Sequence, residues 1–162
     1  AEMLMNGTKN RSWQEIANQI ESVGASIDIW GQRESVGIEC DLLVRDLDIV
    51  LDVLQDILRN PSFPLTEIDK HRCQLNSSFL AWEDDTYRIA SRLVREMIYP
   101  EGHPYHHRVQ GGQNSIEQIN QKLLVDFHQT LYRPDQLVLV IVGNIDTQQT
   151  IQKIERHLNY LL

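Results

Sequence analysis

The sequence predicts an α+β protein in which helices are layered on a mainly antiparallel sheet. Three patterns support this class: apolar residues at helical spacing in several segments, two adjacent segments that alternate with a period of two, and one later run of consecutive aliphatic residues. Strands do not alternate with helices along the whole chain, so a hairpin beneath helices is favoured over a parallel α/β fold. Three strands make a thin sheet, and we therefore expect further strands before residue 1.

The first two helices have recognisable start and stop signals. Ser12 and Glu15 form a capping-box pattern that opens the first helix, and Gly24 follows as its stop. Asp46 is placed to cap the second helix, which the Pro-rich residues 60–64 end. The apolar stripes that define these helices are Ile16, Ala17, Ile20 and Val23 in the first, and Leu47, Val50, Leu51, Leu54, Ile57 and Leu58 in the second.

An antiparallel hairpin is predicted between the two helices, with its turn at residues 31–34. Apolar and polar residues alternate on both sides of this turn, which is typical of strands with one buried and one solvated face. The predicted inward residues are Ile27 and Ile29 on the first strand and Val36, Ile38, Cys40 and Leu42 on the second.

The second half of the chain is predicted to contain a long helix, a loop, a helix, a strand and a last helix. The long helix opens at Thr66, bends near residues 83–85 and is followed by a loop over residues 99–112.

Three further signals complete the element order. Ser115 and Gln118 form a second capping-box pattern, which opens a helix whose apolar face extends to Leu131. Residues 137–142 are all aliphatic, which predicts a strand buried on both faces. Thr147 is placed to cap the last helix, which carries Ile151, Ile154 and Leu158.

Composition limits the classes of partner. The 162 residues form one predicted domain, and their net charge of −8 disfavours nucleic acid and anionic membrane surfaces as partners. No apolar run approaches the roughly 20 residues of a membrane helix. Cys40 and Cys73 are too few for a disulfide framework.

There is neither an initiator Met nor a signal peptide, so we expect residues 1–162 to be a fragment of a longer chain. The sequence does not distinguish between a periplasmic and a cytoplasmic location.

The opening residues carry the strongest family signal. Residues 3–12 read Met-Leu-Met-Asn-Gly-Thr-Lys-Asn-Arg-Ser, which resembles the run that follows the inverted zinc motif H-x-x-E-H in the insulinase/pitrilysin-like (M16) zinc peptidases. This resemblance covers essentially the whole chain and implies the layered α+β fold of an N-terminal-type M16 domain. Further matching runs are Asn60-Pro61-Ser62-Phe63, Glu67-Ile68-Asp69, Glu83-Asp84-Asp85, Gly102-His103-Pro104-Tyr105, Tyr132-Arg133-Pro134-Asp135 and residues 140–146.

Three positions that carry the family's chemistry are replaced in this sequence. The resemblance aligns Ala1 with the general-base glutamate, Glu2 with a histidine zinc ligand and Ser77 with the distal glutamate ligand; the motif's first histidine would precede residue 1. Alanine accepts no proton, and a carboxylate without imidazole partners makes a poor zinc site at neutral pH. The resemblance therefore implies a domain with no catalytic residue and no metal, zinc being expected only in a catalytic partner subunit.

The resemblance implies three alternative functions. The first is a non-catalytic domain that pairs with a zinc-bearing M16 subunit to enclose and position peptide substrates. The second is an active zinc peptidase whose metal site lies elsewhere in the full chain, and the third is a purely structural scaffold of the same fold. Because a fragment without its first strands exposes a sheet edge, self-association is a further expectation.

The candidate peptide-binding segment is the hairpin, since extended peptides in this family add to a sheet edge. Its candidate residues are Ile27, Ile29, Trp30, Val36 and Ile38. The alternation places Trp30 on the face opposite Ile27 and Ile29, where it is available to a partner. The loop histidines His103, His106 and His107 have a spacing compatible with metal binding, but loop structure is the favoured interpretation.

Overall fold

The computed structural model describes residues 1–159 and confirms the predicted α+β class, with helices packed on an antiparallel hairpin. None of the helices in this part of the chain combines the length and hydrophobicity that crossing a bilayer requires. The elements in chain order are a 3-10 turn (Glu2–Asn6), α1 (Trp13–Glu21), β1 (Ser26–Gly31), β2 (Val36–Asp41), a 3-10 turn (Val44–Asp46), α2 (Leu47–Arg59), α3 (Leu65–Glu83), α4 (Thr86–Ile98), α5 (Gln113–Gln118), α6 (Gln121–Leu131), a 3-10 turn (Pro134–Gln136) and α7 (Thr147–Leu158).

The start of α1 confirms the predicted capping box. The backbone N–H of Glu15 donates to the Ser12 hydroxyl at 3.3 Å, and the Glu15 carboxylate accepts from the backbone N–H of Ser12 at 2.7 Å. These bonds to the Ser12 backbone and side chain lower the pKa of Glu15. Beyond the helix, Gly24 has a φ of +64°, a left-handed conformation that favours glycine.

The hairpin is also confirmed, with its turn one residue later than predicted. Its register runs from Ser26 opposite Asp41 to Gly31 opposite Val36, and the N–H of Gln32 donates to the carbonyl of Ser35 at 2.8 Å. Ile27, Ile29, Ile38 and Cys40 are half-buried against the core, as predicted, whereas Val36, which was predicted to face inward with them, is 42% exposed beside the turn.

The main core lies where α1, α2 and α7 meet beneath the inward face of the hairpin. α2 contributes most of the core because its apolar stripe is covered along its whole length. A smaller cluster of Leu4, Phe63 and Ile68 joins the N-terminal turn to α3, and Ile29 packs against both clusters. The buried members of the main core are Ile16, Ile20, Leu47, Val50, Leu51, Val53, Leu54, Ile57, Leu58 and Leu158.

The predicted bend between α3 and α4 is confirmed. α3 ends at Glu83, and the side chain of Asp85 accepts from the N–H of Arg88 at 3.1 Å to cap α4. The predicted cap at Asp46 is wrong: a 3-10 turn precedes α2, and the Asp46 side chain makes no capping hydrogen bond. For α7 the cap is Asp146 and not Thr147, since the Asp146 carboxylate accepts from the N–H of Gln149 at 2.9 Å.

Two more helix starts differ from prediction. The long helix begins at Leu65, directly after Pro64, with no capping bond from Thr66. The second predicted capping box is also wrong, because Ser115 lies inside α5 and its hydroxyl bonds back to Gly112. The single helix expected from residue 115 is broken instead, since the Asn120 side chain accepts from the N–H of Leu123 at 3.0 Å and starts α6.

The strand predicted at residues 137–142, with both faces buried, is not found among the described residues 1–159, so this prediction is wrong there. This segment forms no ladder with the described residues, and its aliphatic side chains are exposed except for that of Ile141, which is partly buried. The exposure alternates along the segment: Leu137 and Leu139 are 42% and 40% exposed, while Val138 and Val142 are 87% and 92% exposed. This alternation is the one expected of a strand, but a strand requires a neighbour, and the described residues supply none.

Candidate functional site

The N-terminal 3-10 turn places the first two altered positions between β1 and α3. A Cβ built on Gly31, at the end of β1, would lie 3.5 Å from the Cβ of Ala1. The exposed carboxylate of Glu2 reaches towards α3, where its Oε2 lies 4.0 Å from Nδ1 of His71. The turn is therefore a junction between the hairpin and the long helix.

The third altered position lies on α3 and is engaged in local contacts. The exposed Ser77 donates its hydroxyl to the carbonyl of Cys73 at 3.1 Å, one helical turn earlier. Ser78 donates to the carbonyl of Gln74 at 3.0 Å in the same way. Both hydroxyls are thus satisfied by their own helix.

These residues do not fit a zinc centre. A catalytic zinc needs three protein ligands and an open position, whereas Ala1 offers no donor atom and Ser77 offers a hydroxyl already bound to a carbonyl. Glu2 and His71 form a pair, and within residues 1–159 there is no group of three or more His, Cys, Asp or Glu side chains that could hold a metal. No metal-dependent step is assigned to this chain.

A polar network that the sequence analysis missed holds the residues after the turn in place. Asp56 of α2 is only 4% exposed, and its carboxylate accepts from the Thr8 hydroxyl and the Asn10 amide at 2.6 Å, from Arg11 at 2.8 Å and from Asn60 at 2.9 Å. Burial raises the pKa of Asp56, but these four hydrogen bonds outweigh it and leave the pKa below its ordinary value. The run Gly-Thr-x-x-Arg can be recognised in the sequence, but Asp56, the carboxylate that binds it, lies 48 positions after Thr8 and could not be identified as its partner.

The hairpin has two edges whose backbone groups are unpaired within residues 1–159. The hydrogen bond between Gln32 and Ser35 fixes which strand pairs are hydrogen-bonded, because such pairs alternate along an antiparallel ladder. The residues whose N–H and C=O groups therefore point outward are Ile27, Ile29 and Gly31 on β1 and Val36, Ile38 and Cys40 on β2.

Trp30 lies on the outward face of the hairpin, as the alternation predicts. Its indole packs across Gly37, its direct partner on β2, so closely that a Cβ built on Gly37 would lie 2.0 Å from Cζ2 of the ring. The side chain is still 42% exposed. An aromatic surface therefore stands beside the sheet edge.

The rest of that outward face is acidic. Asp28 and Glu39 are directly opposite each other, and Asp41 lies two residues further along β2. Burial raises the pKa of the neighbouring Cys40 thiol to about 11, and these three carboxylates add to the effect. Cys40 is consequently a poor nucleophile.

The loop histidines are used in local structure. Nδ1 of His103 accepts from the N–H of Tyr105 at 3.1 Å, and Nδ1 of His106 lies 2.8 Å from the carbonyl of Tyr99. The rings of His106 and His107 meet edge to face at 5.2 Å. These contacts orient the imidazoles within the loop and do not aim them at a common point.

A clasp between the hairpin turn and this loop was also missed by the sequence analysis. Arg33 donates through Nη1 to the carbonyls of His107 at 2.7 Å and Pro104 at 3.3 Å, and its guanidinium lies 5.1 Å from the centre of the Tyr105 ring. The Tyr105 hydroxyl donates to Glu34 at 2.9 Å, and Glu34 raises the pKa of Tyr105. More than 70 positions separate these partners, so no local pattern could reveal the contact.

Two family models match this chain. The model described as Insulinase (Peptidase family M16) matches residues 1–103, and the model described as Peptidase M16 inactive domain matches residues 118–161.

Similar proteins are longer than this chain. It is 24% identical over 157 residues to cytochrome b-c1 complex subunit 1 of Mus musculus, with 97% of this chain and 32% of that protein covered. It is 25% identical over 162 residues to mitochondrial-processing peptidase subunit beta of Lentinula edodes, with 98% and 34% covered. The chain thus spans about one third of the length of these relatives. The crystal structure of a protease from Helicobacter pylori matches 99% of this chain and 38% of its own, with a TM-score of 0.86 at 18% identity, and so shares its fold.

Proposed function

The chain belongs to peptidase family M16, and on that premise we propose that it is a non-catalytic domain that binds extended peptides beside a separate zinc-bearing M16 subunit. One observation carries this proposal: an unpaired sheet edge lies next to Ala1, at a position where the family's general base is absent. The domain can offer a binding surface at this place, but the methyl side chain of Ala1 accepts no proton.

The binding surface we propose is the outer edge of β1. A peptide that lies along it can pair with the outward N–H and C=O groups of Ile27, Ile29 and Gly31, which tolerates varied side chains because the contacts are made by backbone. Trp30 adds an exposed ring beside that edge. The β1 edge is preferred to the β2 edge because Gly31 adjoins Ala1.

The cleaving activity is assigned to the partner. With Ala1, Glu2 and Ser77 in place of a base and two ligands, the chain lacks the groups that bind zinc and activate water. Two of its relatives are named as subunits, one of a mitochondrial-processing peptidase and one of the cytochrome b-c1 complex. These names support a role inside an assembly.

The proposed edge is tested with a pair of proline variants. Ile29 and Ile38 are direct partners, and each points its N–H away from the other strand. Ile29→Pro therefore removes an outward donor from β1, while Ile38→Pro removes the equivalent donor from β2 and is the matched control. Fluorescence anisotropy would measure binding of a labelled decapeptide with alternating polar and apolar residues. We expect Ile29→Pro to abolish binding and Ile38→Pro to retain it, with circular dichroism showing that both variants fold.

The mode of binding has its own control. The same decapeptide, N-methylated at every residue, has no backbone N–H to donate on either of its edges, and we expect it to bind at least about tenfold more weakly. Equal affinity for both peptides, or loss of binding in Ile38→Pro alone, would refute the β1-edge proposal.

A hydrolysis assay separates the alternative functions. Incubation with a quenched fluorescent peptide and zinc should give no cleavage by this chain alone, and addition of the chain to an M16 subunit with intact H-x-x-E-H should increase that subunit's rate. Cleavage by a longer natural chain that contains these residues would favour a metal site elsewhere in that chain. Normal folding with no peptide binding would favour the third alternative, the structural scaffold, which the cytochrome b-c1 relative supports.

A further inference from the structure

A cavity lies where the clasp joins the hairpin turn to the loop. Its volume is about 370 Å³, at the lower end of the roughly 300–1,000 Å³ typical of ligand pockets. Gly31, the last residue of the proposed peptide-binding edge, forms part of its wall, whereas Val36, the direct partner of Gly31 on β2, does not. The cavity therefore adjoins the β1 side of the hairpin. The other residues that line it are those of the turn, 32–35, and Tyr105, Val109 and Gln110 of the loop.

Arg33 brings a positive charge to this cavity and uses only part of its guanidinium group. Both of its hydrogen bonds to the described residues leave from Nη1 and end on backbone carbonyls of the loop. Within residues 1–159, Nε and Nη2 have no hydrogen-bond partner and the guanidinium forms no ion pair, while the carboxylate of the next residue, Glu34, accepts from Tyr105 instead. The cavity thus contains a cation with two N–H donor groups to spare.

These two nitrogens form one edge of the guanidinium fork, with which arginine binds a carboxylate bidentately. The same chain shows this mode at Arg133, whose Nε and Nη2 both lie 3.0 Å from carboxylate oxygens of Asp135. Arg33 is already held in place for such a contact, since two carbonyls bind Nη1 and the guanidinium lies over the Tyr105 ring, whose hydroxyl Glu34 binds. Little conformational entropy is therefore lost when a carboxylate binds.

We propose that this cavity is a carboxylate site, in which Nε and Nη2 of Arg33 bind a carboxylate of the peptide. The inference rests on the proposed function, because a peptide that pairs with Gly31 at the end of β1 continues into the cavity. A C-terminal carboxylate arrives there when the peptide runs parallel to β1, and the side chain of an acidic N-terminal residue arrives there when the peptide runs antiparallel. Both sources present the same chemical group to Arg33.

Three decapeptides that differ only in this carboxylate test the proposal, each with a fluorescent label at a central residue. The first is acetylated, amidated and free of acidic residues, the second has a free C-terminal carboxylate, and the third is the first with glutamate as its N-terminal residue. Fluorescence anisotropy with the whole natural polypeptide that contains residues 1–162 measures each affinity. We expect the second or the third peptide to bind at least about tenfold more tightly than the first, and the one that does so identifies the direction of pairing.

A variant of Arg33 tests the donor. Arg33→Gln removes the charge and the bidentate pair but keeps an amide that can donate to the loop carbonyls, so it should abolish the advantage and leave the affinity for the first peptide unchanged. Arg45→Gln makes the same change at an arginine outside the cavity, whose side chain is 78% exposed, and should keep the advantage. Circular dichroism checks that both variants fold. In the parent protein the advantage should shrink as NaCl is added, which tests the charge without a variant.

Three results would overturn the carboxylate site: equal affinity for all three peptides, an advantage that survives Arg33→Gln, or an equal loss for all three peptides in that variant. The last result would mean that Arg33 only holds the turn in place. Ile29→Pro separates such a failure from failure of the β1 edge, because loss of the first peptide in that variant leaves the edge standing without the carboxylate site. If the advantage requires Arg33 while Ile29→Pro leaves all binding intact, the carboxylate site stands and the β1 edge is wrong.

Discussion

The helices α2 and α4 have the same length but very different surroundings. Both contain 13 residues with a strong apolar stripe. In α2 the stripe is buried, whereas α4 has no buried residue and exposes Leu93 to 47% and Met97 to 85%. α2 packs against α1 and α7 beneath the hairpin, while α4 is joined mainly to α3.

The difference shows that an apolar stripe specifies that a face will be covered, but not which element covers it. α2 finds its partners within residues 1–159, and α4 does not. Stability should therefore depend strongly on α2 and weakly on α4 in this chain. An M16 partner or further polypeptide that covers α4 would reduce this contrast.

The largest expected effect is a cavity in the covered helix. Ile57 is fully buried in α2, so Ile57→Ala should lower the free energy of unfolding by about 2–5 kcal/mol. Leu93→Ala removes a half-exposed side chain of α4 and should cost less than about 1 kcal/mol. Urea denaturation followed by circular dichroism measures both. Equal losses would mean that α4 is covered after all.

The next effect concerns the buried carboxylate of α2. Asp56→Ala leaves the Thr8, Asn10 and Arg11 donors without their acceptor and should cost about 2–3 kcal/mol. Asp52→Ala removes a second, half-exposed partner of Arg11 and should cost less than about 1 kcal/mol. If the two variants have the same denaturation midpoint, the network does not anchor the N-terminal turn.

A smaller effect is expected from removing the N-terminal caps of α1, which packs on α2, and of α4. Ser12→Ala removes the capping box of α1, which packs on α2, and should lower the global free energy of unfolding by about 1 kcal/mol. Asp85→Ala removes the cap of α4 and should instead increase local opening, seen as faster hydrogen exchange in residues 86–90, with little change in global stability. A global loss from Asp85→Ala comparable to that from Ser12→Ala would contradict the contrast.

The smallest effect is a pH dependence at the edge of the core. His128 lies against the carbonyl of Leu58 at the end of α2, with Nε2 2.9 Å from that oxygen, and burial lowers its pKa. The unfolded chain therefore takes up this proton first, so stability should fall as the pH drops below about 7. In His128→Gln, thermal melts at neutral and mildly acidic pH should show a smaller difference than in the parent. If the difference in melting temperature between the two pH values is the same in His128→Gln as in the parent, groups other than His128 cause the pH dependence.

Local patterns predicted local structure well. The Ser12–Glu15 box, the alternating hairpin and the bend at residues 83–85 each depend on neighbours in sequence, and all three are found. The Ser115 box failed because α5 already starts at Gln113, and Asn120, seven positions after that start, caps a new helix. Nearby polar side chains compete to cap a helix, and the differences in free energy between them are small. A sequence pattern does not show which of them caps the helix.

Contacts between residues far apart in the sequence could not be predicted from local sequence patterns. The Asp56 network and the clasp between Arg33 and Tyr105 join residues far apart in sequence, and a single sequence contains no signal for such pairs. The strand at residues 137–142 failed for a related reason, because a strand exists only with a partner. At the candidate site, the family resemblance identified Ala1, Glu2 and Ser77, but their contacts with Gly31, His71 and Cys73 required the fold.

The packing of Trp30 across Gly37 has an evolutionary consequence. Any side chain at position 37 would collide with the indole, so the two positions are not free to change independently. Homologues that keep a large aromatic ring at position 30 should keep glycine opposite it, and homologues that have lost the ring should accept β-branched residues there. An alignment of homologues should therefore show correlated substitution at positions 30 and 37.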